Sequence, residues 1–164
     1  MLTRMDPRPR ISSPHLLRTL TARDVMTAQP LTVTPETKLS KVTELMDERH
    51  IQHFPVVEGE RLVGLLSEGD LHDAMPSVLT VEDPEARRRY LRVTQVAQVA
   101  AKDVPTVSPN APLAEVIRTM RSGRLGGLAV TEGTRLVGIL TSGDLITLLE
   151  RILRSSESWK EGAA

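Results

Sequence analysis

Apolar residues recur along this chain with two different periods. Leu39, Val42, Leu45 and Met46 fall at helical spacing, as do Leu113, Val116, Ile117 and Met120. These stripes predict helices over residues 38–49, begun by Glu36 or Thr37, and over 113–121. Short β-branched or aliphatic runs at 54–57, 62–66, 128–131 and 136–140 read as strands. Between the first two, Glu58-Gly59-Glu60 reads as a tight turn, with Gly59 supplying the permissive backbone that a hairpin needs. Thr32-Val33 and Thr106-Val107 predict two further short strands, the first stopped by Pro35, which has no ladder donor. Ser67 or Glu68 starts a helix through Asp70 and Leu71, and a long last helix is expected over 142–154.

The pattern occurs twice. Arg61-Leu-Val-Gly-Leu-Leu-Ser-Glu-Gly-Asp-Leu71 matches Arg135-Leu-Val-Gly-Ile-Leu-Thr-Ser-Gly-Asp-Leu145 at an offset of 74 residues. The same offset, without a gap, aligns Leu31-Thr-Val-Thr-Pro35 with Pro105-Thr-Val-Ser-Pro109, and Leu39, Val42 and Met46 with Leu113, Val116 and Met120. A register held this long, with its apolar positions intact, means that both halves share one fold. Each half offers one small sheet with an apolar face, which is buried most readily against the other copy. The expectation is an α/β protein of two tandem β-α-β-β-α repeats packed as a pseudo-twofold pair. The repeats are placed at 16–76 and 94–154, joined by a partly helical linker at 77–93, with tails at 1–15 and 155–164.

Composition narrows the function classes. Hydrophobic residues make up 40% of the 164, enough for a core, but there is only one Trp, one Tyr and one Phe. Aromatic platforms for single-stranded nucleic acid are therefore missing. Lys plus Arg equals Asp plus Glu at 21 each, so no general field favours nucleic acid or an acidic membrane. The run Arg87-Arg-Arg89 with Arg92 reads as a solvated face. The absence of cysteine excludes disulfides, thiolate metal sites and a cysteine nucleophile. No apolar stretch approaches a membrane span and no secretory signal is evident at the start, so the cytoplasm is expected by elimination.

The duplicated Gly64-x-x-Ser67-x-x-Asp70 and Gly138-x-x-Thr141-x-x-Asp144, preceded by Thr21-Ala-Arg-Asp-Val25-Met26-Thr, Thr32-Val-x-Pro35 and His53-Phe-Pro-Val56, resemble the signature of a CBS-domain pair. The resemblance covers about 21–74 and 94–149. It implies two units packed through their sheets, association of pairs into a homodimer, and a cleft for an adenosine ligand such as AMP, ADP, ATP or S-adenosylmethionine. No cofactor is required and no chemistry is done on the ligand, so the chain is expected not to be an enzyme. It resembles the stand-alone members, which signal to a separate protein effector.

Physical chemistry supports part of this picture. A strand ending in Ser67 or Thr141 places a hydroxyl and free amides at a helix start, where the dipole favours a ligand oxygen. Asp70 or Asp144, one turn later, is an acceptor for both hydroxyls of a ribose. The same residues also make good N-caps, and the two roles are compatible. The resemblance places base contacts at Thr21, Val25, Met26, Gln52, His53 and Phe54, and in the second copy at Gln95, Val99, Ala100, Gly127 and Leu128. One ligand can touch the base region of one repeat and the hydroxyl and aspartate of the other. Phosphate contacts fall to Arg49 and His50, and to Arg121 and Arg124.

Gly126-Gly127 stands where the first repeat has Gln52-His53. The glycines either open space for a phosphate group or mark a degenerate site. His50 and His53 are three apart, but the chain leaves the helix between them and no third ligand has motif spacing, so no metal is expected. No nucleophile elbow, triad or phosphate-binding loop is present. A regulatory adenosine-ligand sensor is the leading reading, and a ligand-free interaction or scaffold module is the alternative. The final helix, with Leu145, Ile146, Leu148, Leu149, Ile152 and Leu153, carries apolar residues over more than one face, which favours the homodimer.

Overall fold

The structure, a computed structural model, describes residues 19–75 and 83–161, with side chains as far as Arg154. In chain order the elements are α1 (Ala22–Val25), β1 (Thr27–Ala28), α2 (Leu39–Arg49), β2 (His53–Glu58), β3 (Arg61–Ser67), α3 (Glu68–Ala74) and α4 (Pro84–Val93). A 3₁₀ turn (Val96–Gln98) leads to β4 (Thr106–Val107), α5 (Leu113–Gly123), β5 (Gly127–Glu132), β6 (Arg135–Thr141) and α6 (Ser142–Glu161). The strands lie in the order β2-β3-β6-β5-β4, with β1 beside β6.

Each repeat is built around an antiparallel hairpin, β2–β3 or β5–β6, whose turn glycine, Gly59 or Gly133, has positive φ. The two hairpins meet at Arg61 and Arg135, which occupy equivalent positions. Helices α2 and α5 each lay their expected stripe inward: Leu39, Val42 and Met46 on one core, Leu113, Val116 and Met120 on the other. Both end in a left-handed residue, His50 and Arg124, that turns the chain into the next strand. Neither begins on Glu36 or Thr37. The caps are Lys38 and Pro112, without a side-chain bond, because the first donors of each helix are taken up by backbone from elsewhere.

That backbone comes from the opposite repeat. Leu113 N donates to Leu20 O at 2.8 Å and Leu39 N donates to Thr94 O at 3.1 Å, positions related by the 74-residue offset. Ala22 N reaches Ala111 O and Val96 N reaches Thr37 O, each at 2.9 Å. Thr27 and Ala28 pair with Ile139 and Gly138 of β6, while Ala101 pairs with Leu65 of β3. The leading segment of each repeat therefore completes the other's fold. One core holds Leu20, Ala22 and Val25 with Val107, Leu113, Val116, Met120, Leu128, Val130 and Leu140. The other holds Val33, Leu39, Val42, Met46, Phe54, Val56, Leu66 and Leu71 with Leu91 and Val96. The expected pseudo-twofold is present, and each core takes in residues from the leading segment of the other repeat.

Other differences are local. Thr32-Val33 does not form a strand; Val33 makes a single bridge to Val56, and the strand in this region is β1, five residues earlier. Within 77–93, α4 starts on Asp83, whose carboxylate accepts from Glu85 N and Ala86 N at 2.9 and 3.1 Å. It packs against α2, and Tyr90 Oη donates to Ala74 O at 3.0 Å. The last helix runs to Glu161, past the expected end at 154. The tail expected at 1–15 lies outside the described residues. Among the described residues, no helix is long and apolar enough to cross a membrane.

The signature glycines are explained by this exchange. A Cβ on Gly64 would stand 2.7 Å from the carbonyl oxygen of Ala101, and one on Gly138 would meet Met26 Sδ and, at 3.1 Å, Thr27 O. The crossing backbone passes where a side chain would be. Gly64→Ala should therefore lower stability by about 1–3 kcal/mol, since overpacking against a fixed backbone cannot relax cheaply. Gly69→Ala is the control: its nearest atom, Ser67 Oγ, is 3.6 Å away, and thermal denaturation should show little change or a small gain.

Candidate functional site

Each hairpin delivers a hydroxyl to a helix start. Ser67 ends β3 and caps α3: its N and Oγ both donate to Asp70 Oδ2, at 2.7 and 2.6 Å, and its Oγ accepts from Asp70 N at 3.2 Å. Thr141 and Asp144 repeat this arrangement, with Thr141 N and Oγ1 each 2.8 Å from Asp144 Oδ2. The capping role is therefore realised at both sites, and it limits the second role. A carboxylate oxygen has two lone pairs, and Oδ2 of each aspartate already accepts twice. Acceptance of a ligand hydroxyl falls to Oδ1. At Asp144 that oxygen also accepts from Thr27 Oγ1 at 3.2 Å; the equivalent of Thr27 is Ala101, and Oδ1 of Asp70 accepts no bond among the described residues.

The exchange of leading segments brings the motif of one repeat to the β2 entry of the other. A cavity of about 330 Å³ lies between His50, Ile51, Gln52 and His53 of the first repeat and Ile139, Thr141, Ser142, Gly143 and Asp144 of the second. Thr27, Pro30, Leu31 and Gly126 complete its wall. The volume is at the lower end of what small-molecule sites occupy. Leu31, Ile51 and Ile139 give it apolar wall, and the helix start and the Asp144 carboxylate give it polar wall. Of the residues expected from sequence, Gln52, His53, Thr141, Asp144 and His50 meet here.

The others are placed differently. The side chains of Val25, Phe54 and Leu128 are buried in the two cores, 3% exposed or less. Met26 packs beside Gly138, and Val99 and Ala100 pack on the first core. Thr21 is tied to Asp24 in a capping box and Gln95 N to Gln98 Oε1, so both serve the crossing segments. Arg49 and Arg121 stay exposed on the last turns of α2 and α5, and Arg124 holds the left-handed position equivalent to His50. None of these three lines the cavity. Thr27, Leu31 and Ile139 were not expected there. Only the asymmetry of Thr27 against Ala101 in the repeat alignment pointed to Thr27.

Gly126-Gly127 does not open space for a phosphate. The His53 imidazole fills that space: a Cβ on Gly126 would stand 2.8 Å from Nε2, and one on Gly127 2.9 Å from Cδ2. His53 is thus packed on the backbone of its own pseudo-symmetric partner. Burial pushes its pKa below the usual 6.5, against the opposing pull of the Asp70 and Glu68 carboxylates. The ring is neutral near pH 7, with one nitrogen free to accept.

Two copies of one α/β unit, each completed by the leading segment of the other, define the class: a paired-repeat module. The CBS domain family matches residues 22–77 and 96–151, and the chain belongs to that family. It is 27% identical over 135 residues to an uncharacterized 33.4 kDa protein of the ribosomal RNA operon of Thermofilum pendens. That match takes in 79% of this chain and 44% of the relative, so the chain spans less than half of that relative's length. The crystal structure of a putative acetoin utilization protein (AcuB) from Vibrio cholerae is similar over 85% of this chain and 97% of its own, at 29% identity and a TM-score of 0.71. CBSX2, solved in complex with AMP, shares the fold at a TM-score of 0.68 and 24% identity, over 80% of this chain and 97% of its own.

The buried ring carries a pH signature. The folded pKa of His53 lies below its ordinary value, so the unfolded chain takes up that proton first as pH falls. The contribution is complete above about pH 6.5 and is lost as pH drops through the lowered value. The melting temperature should fall on acidification through this range, and His53→Gln, neutral throughout, should show a shallower fall. Equal slopes for the two proteins would contradict this account.

Proposed function

We propose that this chain is a regulatory module that binds an adenosine-bearing ligand in the cleft between the His50–His53 segment and the Thr141–Asp144 helix start. One observation carries the reading: the exchange of segments assembles a single cleft from the expected contact residues of both repeats. The apolar wall of Leu31, Ile51 and Ile139 suits the faces of a base, and Asp144 Oδ1 suits a ribose hydroxyl. The amides at the start of α6 suit a phosphate or another ligand oxygen. His53, neutral and half-buried, supplies an acceptor to an exocyclic amino group. AMP, ADP, ATP and S-adenosylmethionine share this chemistry, and CBSX2, alike in fold, was crystallised with AMP.

In this reading the module does no chemistry on its ligand. Occupancy biases the packing of the two repeats, and a separate protein effector reads that change. The cytoplasm is the compartment it implies.

Isothermal titration with the four ligands tests the proposal. Binding of at least one is expected, weakened about tenfold or more by Asp144→Ala, the scale of a lost hydrogen bond to a charged group. Absence of both heat and thermal stabilisation with all four at millimolar concentration would leave the ligand-free scaffold as the function.

The scaffold reading has its own support in α6. Leu145, Leu148 and Ile152 pack on the core, whereas Ile146, Leu149 and Leu153 are exposed at 67, 55 and 55%. Ile117 on α5 is exposed as well. In our reading this surface joins two copies as a homodimer, which serves either function. Light scattering should give twice the chain mass of 18.1 kDa, and Ile146→Glu with Leu149→Glu should return the protein to 18.1 kDa. A wild-type mass of 18.1 kDa at every concentration would rule the dimer out.

A further inference from the structure

A second cleft lies at the opposite end of the hairpins, beside their turns. It encloses about 460 Å³ and is lined by the start of β3 (Arg61 to Gly64), by Lys102, Asp103, Val104 and Thr106, and by Thr131, Gly133 and Thr134. It shares no lining residue with the ligand cleft described above.

Three features point to a ligand. Thr131 is only 7% exposed, yet its hydroxyl makes no hydrogen bond among the described residues. No buried side-chain oxygen there is both sealed and unpartnered, so this hydroxyl is reached through the cleft that Thr131 lines. Lys102 forms no ion pair among the described residues, while Arg61 is held by Glu58 at the turn.

The third feature is the internal repeat. At the 74-residue offset, Lys102, Thr131 and Thr134 stand where the other repeat has Ala28, Val57 and Glu60. The chain turns alike at this point on both sides: Asp103 and Gln29 share a left-handed φ of 47° and 49°. At these positions one side of the molecule carries an ammonium and two hydroxyls, and its carboxylate stands at Asp103, where the other repeat has Gln29, instead of at the position of Glu60.

The geometry points to a second binding site here, for the phosphate group of a small metabolite or for free phosphate. A phosphate oxygen accepts from the Lys102 ammonium and from the hydroxyls of Thr131 and Thr134, with Thr106 as a further donor. With Arg61 held by Glu58, the ammonium of Lys102, unpaired among the described residues and beside the Asp103 carboxylate, suits a single phosphate group better than a di- or triphosphate. This inference does not depend on the adenosine reading, because no residue is shared.

The test is an amide-resolved NMR titration of the full chain with inorganic phosphate, against sodium chloride at matched ionic strength. Saturating shifts are expected at Lys102, Thr131 and Thr134. Lys102→Ala and Thr131→Val should each weaken them about tenfold. Both variants install the residue that the other repeat carries at the equivalent position, so folding should survive. Thr134→Glu, at an exposed turn, is a further variant expected to abolish binding by repulsion. Asp144→Ala, in the other cleft, should leave the titration intact. Glycerol 3-phosphate in a parallel titration separates the two sources: tighter binding than inorganic phosphate assigns the site to a phosphorylated metabolite, and equal or weaker binding assigns it to free phosphate. Shifts that do not saturate, that chloride reproduces, or that persist unchanged in Lys102→Ala and Thr131→Val overturn the proposal.

Discussion

The antiparallel contact between Ala101 and Leu65, with its mate between β1 and β6, is the constraint on which the rest of the structure depends. Two backbone hydrogen bonds, Leu65 N to Ala101 O at 3.0 Å and Ala101 N to Leu65 O at 2.9 Å, hold the leading segment of one repeat against the hairpin of the other. For the backbones to come this close, the hairpin must carry glycine at positions 64 and 138. Once they do, Leu20, Ala22 and Val25 reach the second core, and Leu91 and Val96 reach the first. The same crossings bring Thr27 and Leu31 to the mixed wall of the cleft beside His53. A motif that looks in sequence like a binding signature is therefore first a packing device.

The second organising fact is a broken symmetry. The fold is doubled in backbone, but the positions near the pseudo-twofold are not doubled in side chains. His53 lies on Gly126 and Gly127, the two residues in register with Gln52 and His53, and the ring takes the space that a Cβ on either would need. Two imidazoles could not occupy that volume together, and two glycines would leave a void. The pair of repeats is complementary because it is unequal. Thr27 against Ala101 extends the same inequality to the two aspartates, one of which shares its outer oxygen with a threonine.

Much of the architecture was legible in the sequence. The helical stripes, the hairpins and the 74-residue register follow from side-chain periodicity, which depends on local geometry. What periodicity does not encode is which copy of an element a segment packs against. Leu20, Ala22 and Val25 read equally well as the head of the first repeat or as the lid of the second core. Val25, Phe54 and Leu128 look like contact residues by position in a motif, yet their apolar side chains are spent on the core. The role of Gly126 and Gly127 was out of reach, because it depends on His53 arriving from seventy residues away. Asp70 and Asp144 stand out by their spacing; their hydrogen bonds with Ser67 and Thr141 show that spacing serving a helix cap, and of the two only Asp144 lines the cleft beside His53.

The exchange of segments also bears on how the protein is made. Synthesis runs from the N-terminus, and the first repeat cannot close its core until Leu91 and Val96 have been added. The segment from Leu20 to Ala28 waits longer still, since its partner strand, β6, is almost the last element to leave the ribosome. Closing so long a loop costs chain entropy before any contact repays it, so folding is governed by distant pairings despite the small size of each repeat. During that interval the nascent chain carries an apolar segment with no native place to go, a natural client for a chaperone.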